Sequence, residues 1–254
     1  MRISIITVCY NSVATIERTI LSVLNQKNAD IEYIVINNNS FDGTTEVINK
    51  YSKKLIHICE SDKGIYNAMN KGLGISSGDV VGFLNADDYF NNDLVISKIQ
   101  NAFELNNVDY VYGNVVFENN NEIIRSWIVG KEAIDLGSNI QIPHPSFYVK
   151  TEILKKLNPP FDEQLSIASD LKLQFMLNKH FKLNGNYINE CFVNISLGGV
   201  SSRNFSSLIQ GWSETIAAYN EVFNKGGFLY LITKILRKFK GLKIIKYFKY
   251  YLIK

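Results

Sequence analysis

The sequence has 254 residues, a net charge of +3 and three cysteines, at positions 9, 59 and 191. A chain of this length can bury about three quarters of its unfolded surface, so its fold needs no disulfide or structural metal. The cysteines are widely spaced, and no segment has the run of about 18 apolar residues that a membrane span requires. We therefore expect neither a disulfide scaffold nor a membrane-spanning protein.

Strand and helix patterns alternate through the first 90 residues. Strands are predicted at 3–8, 31–36, 55–59 and 80–84, and helices at 13–24, 44–51 and 64–76. Such alternation predicts an α/β fold with a mostly parallel sheet flanked by helices, in which ligands bind at the carboxyl ends of the strands.

The parallel pattern stops beyond residue 90. The later elements predicted are a helix near 95–103, a hairpin of 110–117 with 122–128, a strand at 144–149, and helices at 150–157, 168–179 and 204–223. We expect one catalytic domain over 1–224, with halves at 1–90 and 91–224, followed by a basic tail over 225–254.

An acidic motif, Leu-Asn-Ala-Asp-Asp, occupies 84–88 directly after the fourth predicted strand. Adjacent carboxylates are hard oxygen ligands that suit a divalent cation. For an isolated pair the commoner role is to open a turn or cap the next helix. Because the chain has neither the dinucleotide glycine fingerprint nor a phosphate-binding loop, a diphosphate ligand would need another counter-charge, and a cation here would supply one.

Four motifs in chain order resemble the family 2 glycosyltransferases, which are inverting enzymes of the GT-A fold. They are ITVCYN at 5–11, EYIVINNNSFDGT at 32–44, ESDKGIYNAMNKG at 60–72 and LNADD at 84–88. Looser similarity continues through HPSF at 144–147, FDE at 161–163, ASDL at 168–171 and GGVS at 198–201.

The resemblance implies an enzyme that moves a hexose or N-acetylhexosamine from a nucleotide diphosphate sugar, with UDP as the expected nucleotide. It further implies a saccharide acceptor on a lipid carrier, as in O-antigen or capsule biosynthesis, and a Mn²⁺ or Mg²⁺ cofactor. The fold implied is a GT-A nucleotide-sugar-binding fold, here with a C-terminal helical basic tail.

Site residues follow from the same resemblance. Those implied are Asp170 as general base, Asp87 and Asp88 at the metal, and Thr7, Tyr10, Asn11, Asn37, Asp62, Asn85, His144 and Arg203 at the substrates. Taken alone, Asp170 could instead be a first-turn or capping acid of a helix, His144 a structural histidine and Arg203 a surface arginine.

The sequence departs from the family pattern at three positions. Asn37 and Asn85 stand where aspartates are usual, which puts base recognition and metal affinity in question. Met69 stands where many relatives have arginine, so that phosphate charge must be neutralised by the metal, Lys71, Arg203 or another group.

The tail over 225–254 has nine Lys or Arg residues and no acid, which leaves −6 for residues 1–224. Basic amphipathic segments bind anionic membrane surfaces, and the alternative is a helix packed on the domain with a solvated cationic face. The apolar run at 3–8 is too short for a signal peptide. We therefore expect a cytoplasmic protein, peripheral at the inner face of the plasma membrane, that binds no nucleic acid.

A different functional class stays open, namely a non-catalytic nucleotide-sugar or glycan-binding module, because asparagine replaces aspartate at two site positions. A nucleotidyltransferase is disfavoured, since no glycine-rich loop with Lys or Arg follows the first strand.

Overall fold

Four parallel strands form the first half of a mixed sheet in the computed structural model, which describes residues 1–119, 122–134, 140–196 and 205–237. The strands are β1 (Arg2–Cys9), β2 (Asp30–Asn37), β3 (Ile56–Cys59) and β4 (Val80–Phe83), in the order β3-β2-β1-β4. The helices between them are α1 (Ile16–Leu24), α2 (Thr44–Asn49) and α3 (Ile65–Ile75). The strands and helices predicted for this half are confirmed.

The second half continues the same sheet with mixed strand directions. Its elements are β5 (Tyr89–Phe90), α4 (Val95–Asn106), β6 (Tyr110–Asn119), β7 (Glu122–Trp127), β8 (Phe147–Lys150), α5 (Thr151–Lys155), α6 (Ser169–His180), β9 (Gly185–Ser196) and α7 (Phe205–Phe223). Strand β8 lies antiparallel between β4 and β6, and β9 lies parallel to β6 and antiparallel to β5. The predicted hairpin is confirmed as β6 and β7.

The apolar residues of the central strands are buried on both faces of the sheet. On β1, Ile3 and Ile5 pack in one core with α1 and α4, whereas Ile6 and Val8 pack in a second core with α3. Successive side chains of a strand point to opposite faces. A strand covered on both sides therefore needs the nearly continuous apolar run seen in this sequence.

The carboxyl ends of β1 to β4 lie along one edge of the sheet. Cys9 is in register with Asn37, and Asn37 with Cys59, while Ile6 is in register with Phe83. The loops that leave these four strands therefore emerge side by side, and they contain the four motifs closest to the family pattern.

The first part of the basic tail packs against the domain. Residues 227–237 are helical, and Tyr230 lies buried in a small third core with Phe175 of α6 and Val222 of α7. Within the ranges given above, no helix is both long enough and apolar enough to cross a bilayer. Residues 238–254 lie outside the described part of the chain.

Candidate active site

The acidic turn after β4 is closed by its own hydrogen bonds. The Asp88 backbone N–H donates to the Asn85 carbonyl oxygen at 3.1 Å, and Asn85 Nδ2 donates to Asp88 Oδ2 at 3.1 Å. The hydroxyl of Thr19 on α1 contacts the carbonyl oxygens of Ala86 and Asp88 at 3.0 and 2.7 Å. The motif is thus a turn, as its composition indicates, and it holds two acids side by side.

The two acids of this turn differ in exposure. Asp88 is 2% exposed, whereas Asp87 is half-buried. Burial and the neighbouring charge of Asp87 raise the pKa of Asp88 well above its ordinary value. Hydrogen bonds from Asn85 and from the Ser196 backbone, together with the charge of Arg18, act in the opposite direction. Asp87 is the more accessible acid for a cation that arrives from solvent.

Arg18 of α1 bonds to the acidic turn, and the sequence did not indicate this contact. Its Nη2 donates to the Asp87 carbonyl oxygen at 3.2 Å and to Ser196 Oγ at 2.6 Å, and its Nη1 donates to Glu118 Oε1 at 3.0 Å. Its guanidinium also lies over the Tyr89 ring, 4.2 Å from the centroid. These partners are 69 to 178 residues away from Arg18 along the chain, so no local pattern could have linked them.

The turn suits a divalent cation that is coordinated partly by protein oxygens and partly by phosphate oxygens. Asn85 Oδ1 is buried and has no hydrogen-bond partner in the described part of the chain, which leaves an oxygen lone pair unused beside the two acids. No group of three or more His, Cys, Asp or Glu side chains in that part could hold a metal by itself. Mg²⁺ commonly takes one or two protein carboxylates and completes its shell with water and substrate phosphates.

An exposed aromatic pair borders the loops after β1 and β2. Tyr10 is 55% exposed and Phe41 is 80% exposed, and their rings meet edge to face with centroids 6.2 Å apart. Asn11 joins the two loops, because its backbone N–H donates to Ser40 Oγ at 2.9 Å and its Oδ1 accepts the Phe41 N–H at 3.1 Å. The pair presents ring surface on which a planar base can stack.

Two predicted substrate residues lie beneath this surface. Thr7 is fully buried, and its hydroxyl accepts a hydrogen bond from the Tyr33 hydroxyl at 3.2 Å. Asn37 is also fully buried: its Oδ1 accepts from the backbone and hydroxyl of Ser40, at 3.2 and 2.6 Å, and its Nδ2 donates to Thr45 Oγ1 at 2.9 Å. Thr7 thus joins β1 to β2, whereas Asn37 holds the loop after β2 in position and would have to exchange these bonds to reach a base.

Asp62 lies at the beginning of α3, next along the same edge. Its Oδ1 accepts the Gly64 N–H at 2.8 Å, and its own backbone N–H donates to Asn38 Oδ1 at 2.9 Å. The residue is half-buried. Its position beside the loop that follows β2 agrees with the predicted nucleoside pocket, although its role stays a prediction.

Few of the side chains considered for neutralising a phosphate are available to do so. Met69 is buried in the core beside β2, and Lys71 Nζ is bonded to the Ser61 carbonyl oxygen at 2.6 Å and to Glu60 Oε1 at 2.8 Å. Arg203, predicted to reach the diphosphate, lies outside the described residues, as do 198–201. For a diphosphate ligand, a cation at the acidic turn would therefore be the expected source of neutralising charge.

Asp170 is the second residue of α6 and half-buried. Its Oδ1 accepts the Leu171 N–H at 2.8 Å. The Tyr66 hydroxyl donates to the Ile167 carbonyl oxygen at 2.8 Å, three residues before Asp170, so Tyr66 lies beside the start of α6. The position of Asp170 suits a first-turn acid that stabilises the helix dipole, and its carboxylate is exposed enough to meet a ligand.

His144 packs against the end of β4. Its ring stacks on Phe83 with centroids 5.5 Å apart and meets Phe161 edge to face at 6.1 Å. Burial lowers the pKa of His144, against the charge of Asp170, and its Nε2 is buried without a partner in the described ranges. An imidazole with an unused nitrogen thus lies next to the strand end from which the acidic turn begins.

A family model described as glycosyl transferase family 2 matches residues 4–155. The chain belongs to glycosyl transferase family 2. The matched range includes all but the first two residues of β1, all of β2 to β4, the acidic turn and His144, so the family assignment and the geometry concern the same edge of the sheet.

Curated relatives of this family 2 member include two from Escherichia coli. WfaP, named a UDP-Glc:alpha-D-GlcNAc-diphosphoundecaprenol beta-1,3-glucosyltransferase, is 28% identical over 218 residues, which cover 82% of the chain and 83% of WfaP. WfgD has the same enzyme description and is 31% identical over 131 residues, or 50% of each protein.

Solved structures establish the fold of this family 2 chain. TarS residues 1–349 from S. aureus, in complex with UDP-GlcNAc, superimposes with a TM-score of 0.74 at 18% identity, covering 94% of the chain and 73% of TarS. The mannosyltransferase PcManGT from Pyrobaculum calidifontis, in complex with GDP-Man and Mn²⁺, gives 0.66 at 15% identity, with 89% and 65% coverage. The expected GT-A fold is confirmed.

Proposed function

We propose that this family 2 member is a metal-dependent inverting glycosyltransferase. It transfers a hexose or N-acetylhexosamine from a UDP-sugar to a saccharide on a lipid carrier during surface-polysaccharide assembly. One observation carries the proposal: an unbroken series of contacts joins the acidic turn to the turn that precedes Asp170. The acidic turn follows Phe83, whose ring meets that of Phe161 edge to face. Phe161 stacks on Tyr66, and the Tyr66 hydroxyl donates to the Ile167 carbonyl oxygen, three residues before Asp170.

The donor end of this path is the edge formed by β1 to β4. Tyr10 offers an exposed ring to the base, and Asp62 and Asn11 border the same loops. UDP is supported by the names of the relatives WfaP and WfgD and by the UDP-GlcNAc bound to TarS. A divalent cation, as with the Mn²⁺ bound to PcManGT, would neutralise negative charge on the departing diphosphate. Asp87 would hold it, with Asp88 and Asn85 beside it.

We assign the acceptor end to Asp170. Inversion at the anomeric carbon requires an acceptor hydroxyl to attack from the face opposite the diphosphate, and that hydroxyl must lose its proton. Asp170 accepts this proton when the hydroxyl comes within about 2.6–3.2 Å of its carboxylate. His144, kept neutral by burial, lines this side and orients the acceptor without competing for the proton.

A panel of nucleotide sugars tests the proposal. We expect turnover with a UDP-hexose or UDP-N-acetylhexosamine, only with Mn²⁺ or Mg²⁺ present, onto a diphospholipid-linked sugar acceptor. Mass spectrometry of the product detects the transfer, and NMR of its anomeric proton detects the inversion. Saturable binding of a UDP-sugar with no turnover on any acceptor would instead identify a binding module.

The exposed face of residues 227–237 supports the membrane partner. Phe228, Ile232 and Leu236 recur every fourth residue and are exposed, as is Leu229. Lys234 and Arg237 lie in the same helical segment, and the tail over 225–254 has nine positive charges and no acid. An apolar stripe in a basic segment suits the interface of an anionic bilayer. We propose that this face rests on the membrane that holds the lipid-linked acceptor.

Replacing Phe228 and Leu229 together by serine tests this face. The double variant should co-sediment with anionic vesicles about tenfold less than the wild type, because two large apolar side chains no longer enter the bilayer interface. The matched control replaces Ile123 and Ile124, which are equally exposed on β7, and should sediment as the wild type does. Equal loss in both variants, or in neither, would refute the assignment of this face.

Arg18→Ala should weaken UDP binding in the presence of Mn²⁺ by about 10–100-fold, the usual effect of losing a group that orients metal ligands. The substitution removes the donor that holds the Asp87 backbone and leaves the buried Glu118 without its cation. Calorimetric titration of UDP measures the change. Arg2→Ala, which removes an exposed arginine paired with Asp30 at 3.7 Å, is the control and should bind as the wild type does. If Arg18→Ala bound UDP with the affinity of the wild type, Arg18 would not be needed to orient the acidic turn for metal binding.

A further inference from the structure

Three consecutive backbone N–H groups, just before Asp170, converge on one side chain. The carboxylate of Glu214 on α7 accepts from Ser166 at 3.1 and 3.2 Å, from Ile167 at 2.8 Å and from Ala168 at 3.0 Å. Gln210 Nε2 donates to the same carboxylate at 2.9 Å. A single acid, 44 residues beyond Asp170 in the sequence, thus binds the whole turn that leads into α6.

The same turn is packed closely from two sides. On the α7 side, a Cβ added to Gly211 would lie 3.3 Å from Ile167 Cγ2, so the helix approaches the turn at close range. On the α3 side, the Tyr66 hydroxyl donates to the Ile167 carbonyl oxygen at 2.8 Å. Ile167 is therefore held between α3, which belongs to the first half of the domain (1–90), and α7, which belongs to the second half (91–224).

The turn has no local substitute for Glu214. The residue before α6 is Ala168, and no side chain of the turn caps the first N–H groups of the helix. Backbone N–H groups that are left without partners at a helix start cost free energy, and a carboxylate makes the strongest bonds to them. Successive N–H groups around one anion form a rigid nest. The direction in which α6 begins, and hence the location of Asp170, depends on this contact.

We propose that Glu214 is a positioning residue that fixes the Asp170 carboxylate toward the acceptor. This proposal rests on the proposed function, in which Asp170 is the general base. Glu214 touches no substrate, because its carboxylate is occupied by the turn. It acts by preventing a small displacement of Asp170, and errors of about 1 Å in such a group can lower turnover by about 10²-fold.

The test compares Glu214→Ala and Glu214→Gln in the full chain, with Glu221→Gln as control. Glu221 is on the same helix and bonds Lys172 at 2.6 Å from the exposed side, with no contact to the turn. Glu214→Ala should lower kcat by about 10–100-fold with an unaltered KM for the donor. Glu214→Gln should recover part of that loss, since its amide oxygen still accepts hydrogen bonds. Amide hydrogen exchange over 165–169 should accelerate most in Glu214→Ala, less in Glu214→Gln and not at all in Glu221→Gln.

A second comparison separates positioning from a general structural role. Added to Asp170→Asn, Glu214→Ala should cause little further loss of kcat, because it acts through the side chain already replaced. The proposal would be overturned if the losses of kcat in the two single variants multiplied in the double variant. It would also be overturned if Glu214→Ala raised donor KM by the factor by which it lowers kcat, or left exchange over 165–169 unchanged. If the wild type transfers no sugar, the proposed function fails, and the exchange measurement alone decides whether Glu214 holds the turn.

Discussion

Asp170→Asn should lower turnover by about 10²–10⁴-fold while leaving UDP-sugar binding almost unaltered, the expected result of removing a general base. Asparagine keeps the shape of the side chain and can still accept the Leu171 N–H through Oδ1. It cannot take a proton from an acceptor hydroxyl. Rapid-quench turnover and calorimetric donor binding, measured on the same preparation, separate the two effects.

The control for Asp170 concerns its position in the helix. A first-turn acid stabilises its helix by about 0.3–1 kcal/mol, and Asp170→Asn loses that contribution together with the base. Glu152 is a first-turn acid of α5, so Glu152→Gln loses a comparable helix contribution. We expect Glu152→Gln to keep full turnover. If Asp170→Asn turned over substrate at a rate similar to that of the wild type, Asp170 would be excluded from the mechanism.

Asp87→Asn is predicted to have the second large effect, a loss of turnover of about 10²–10³-fold. A metal ion at a departing diphosphate supplies several kcal/mol of charge stabilisation, and about 1.4 kcal/mol corresponds to a tenfold change in rate. Arg18 and Ser196 both donate to the Asp87 carbonyl oxygen, and the substitution keeps these bonds, so the turn should stay folded. Turnover measured against Mn²⁺ concentration should show that the variant needs far more metal.

Asp93→Asn is the matched control for Asp87. Asp93 follows the same turn, but its carboxylate is exposed and forms an ion pair with Lys27 at 2.6 Å. Surface pairs of this kind contribute about 0–1 kcal/mol to stability, and we expect no change in metal dependence. If Asp87→Asn kept the metal requirement and turnover of the wild type, the cation would have to bind elsewhere.

The first half of the fold could be predicted because β1, β2 and β4 are apolar runs in which most residues are buried. Strand β9 was not predicted, since Asn186, Asn189 and Glu190 interrupt its apolar residues and most of it is only partly buried. Its formation depends on parallel pairing with β6, about 75 residues earlier in the chain. The pattern of a single sequence cannot reveal a pairing between strands so far apart in the chain.

The candidate site shows the same division between local and distant information. Asp87, His144 and Asp170 could be identified from motifs, because each lies in a short segment that resembles the family. Arg18 and Glu214 could not, since every contact that gives them a role joins residues more than 40 positions apart. The burial of Asn37 likewise depends on how the loops after β1 and β2 pack together, which the motif does not specify.

The most direct test of the account is calorimetric titration of UDP into the wild type and Asp87→Asn, each with Mn²⁺ and with EDTA. We expect Mn²⁺ to strengthen UDP binding at least about tenfold in the wild type, the size of effect seen when metal-site groups are altered, and to make little difference in the variant. Equal UDP affinity with Mn²⁺ and with EDTA in the wild type would contradict a cation at Asp87 that binds the donor diphosphate.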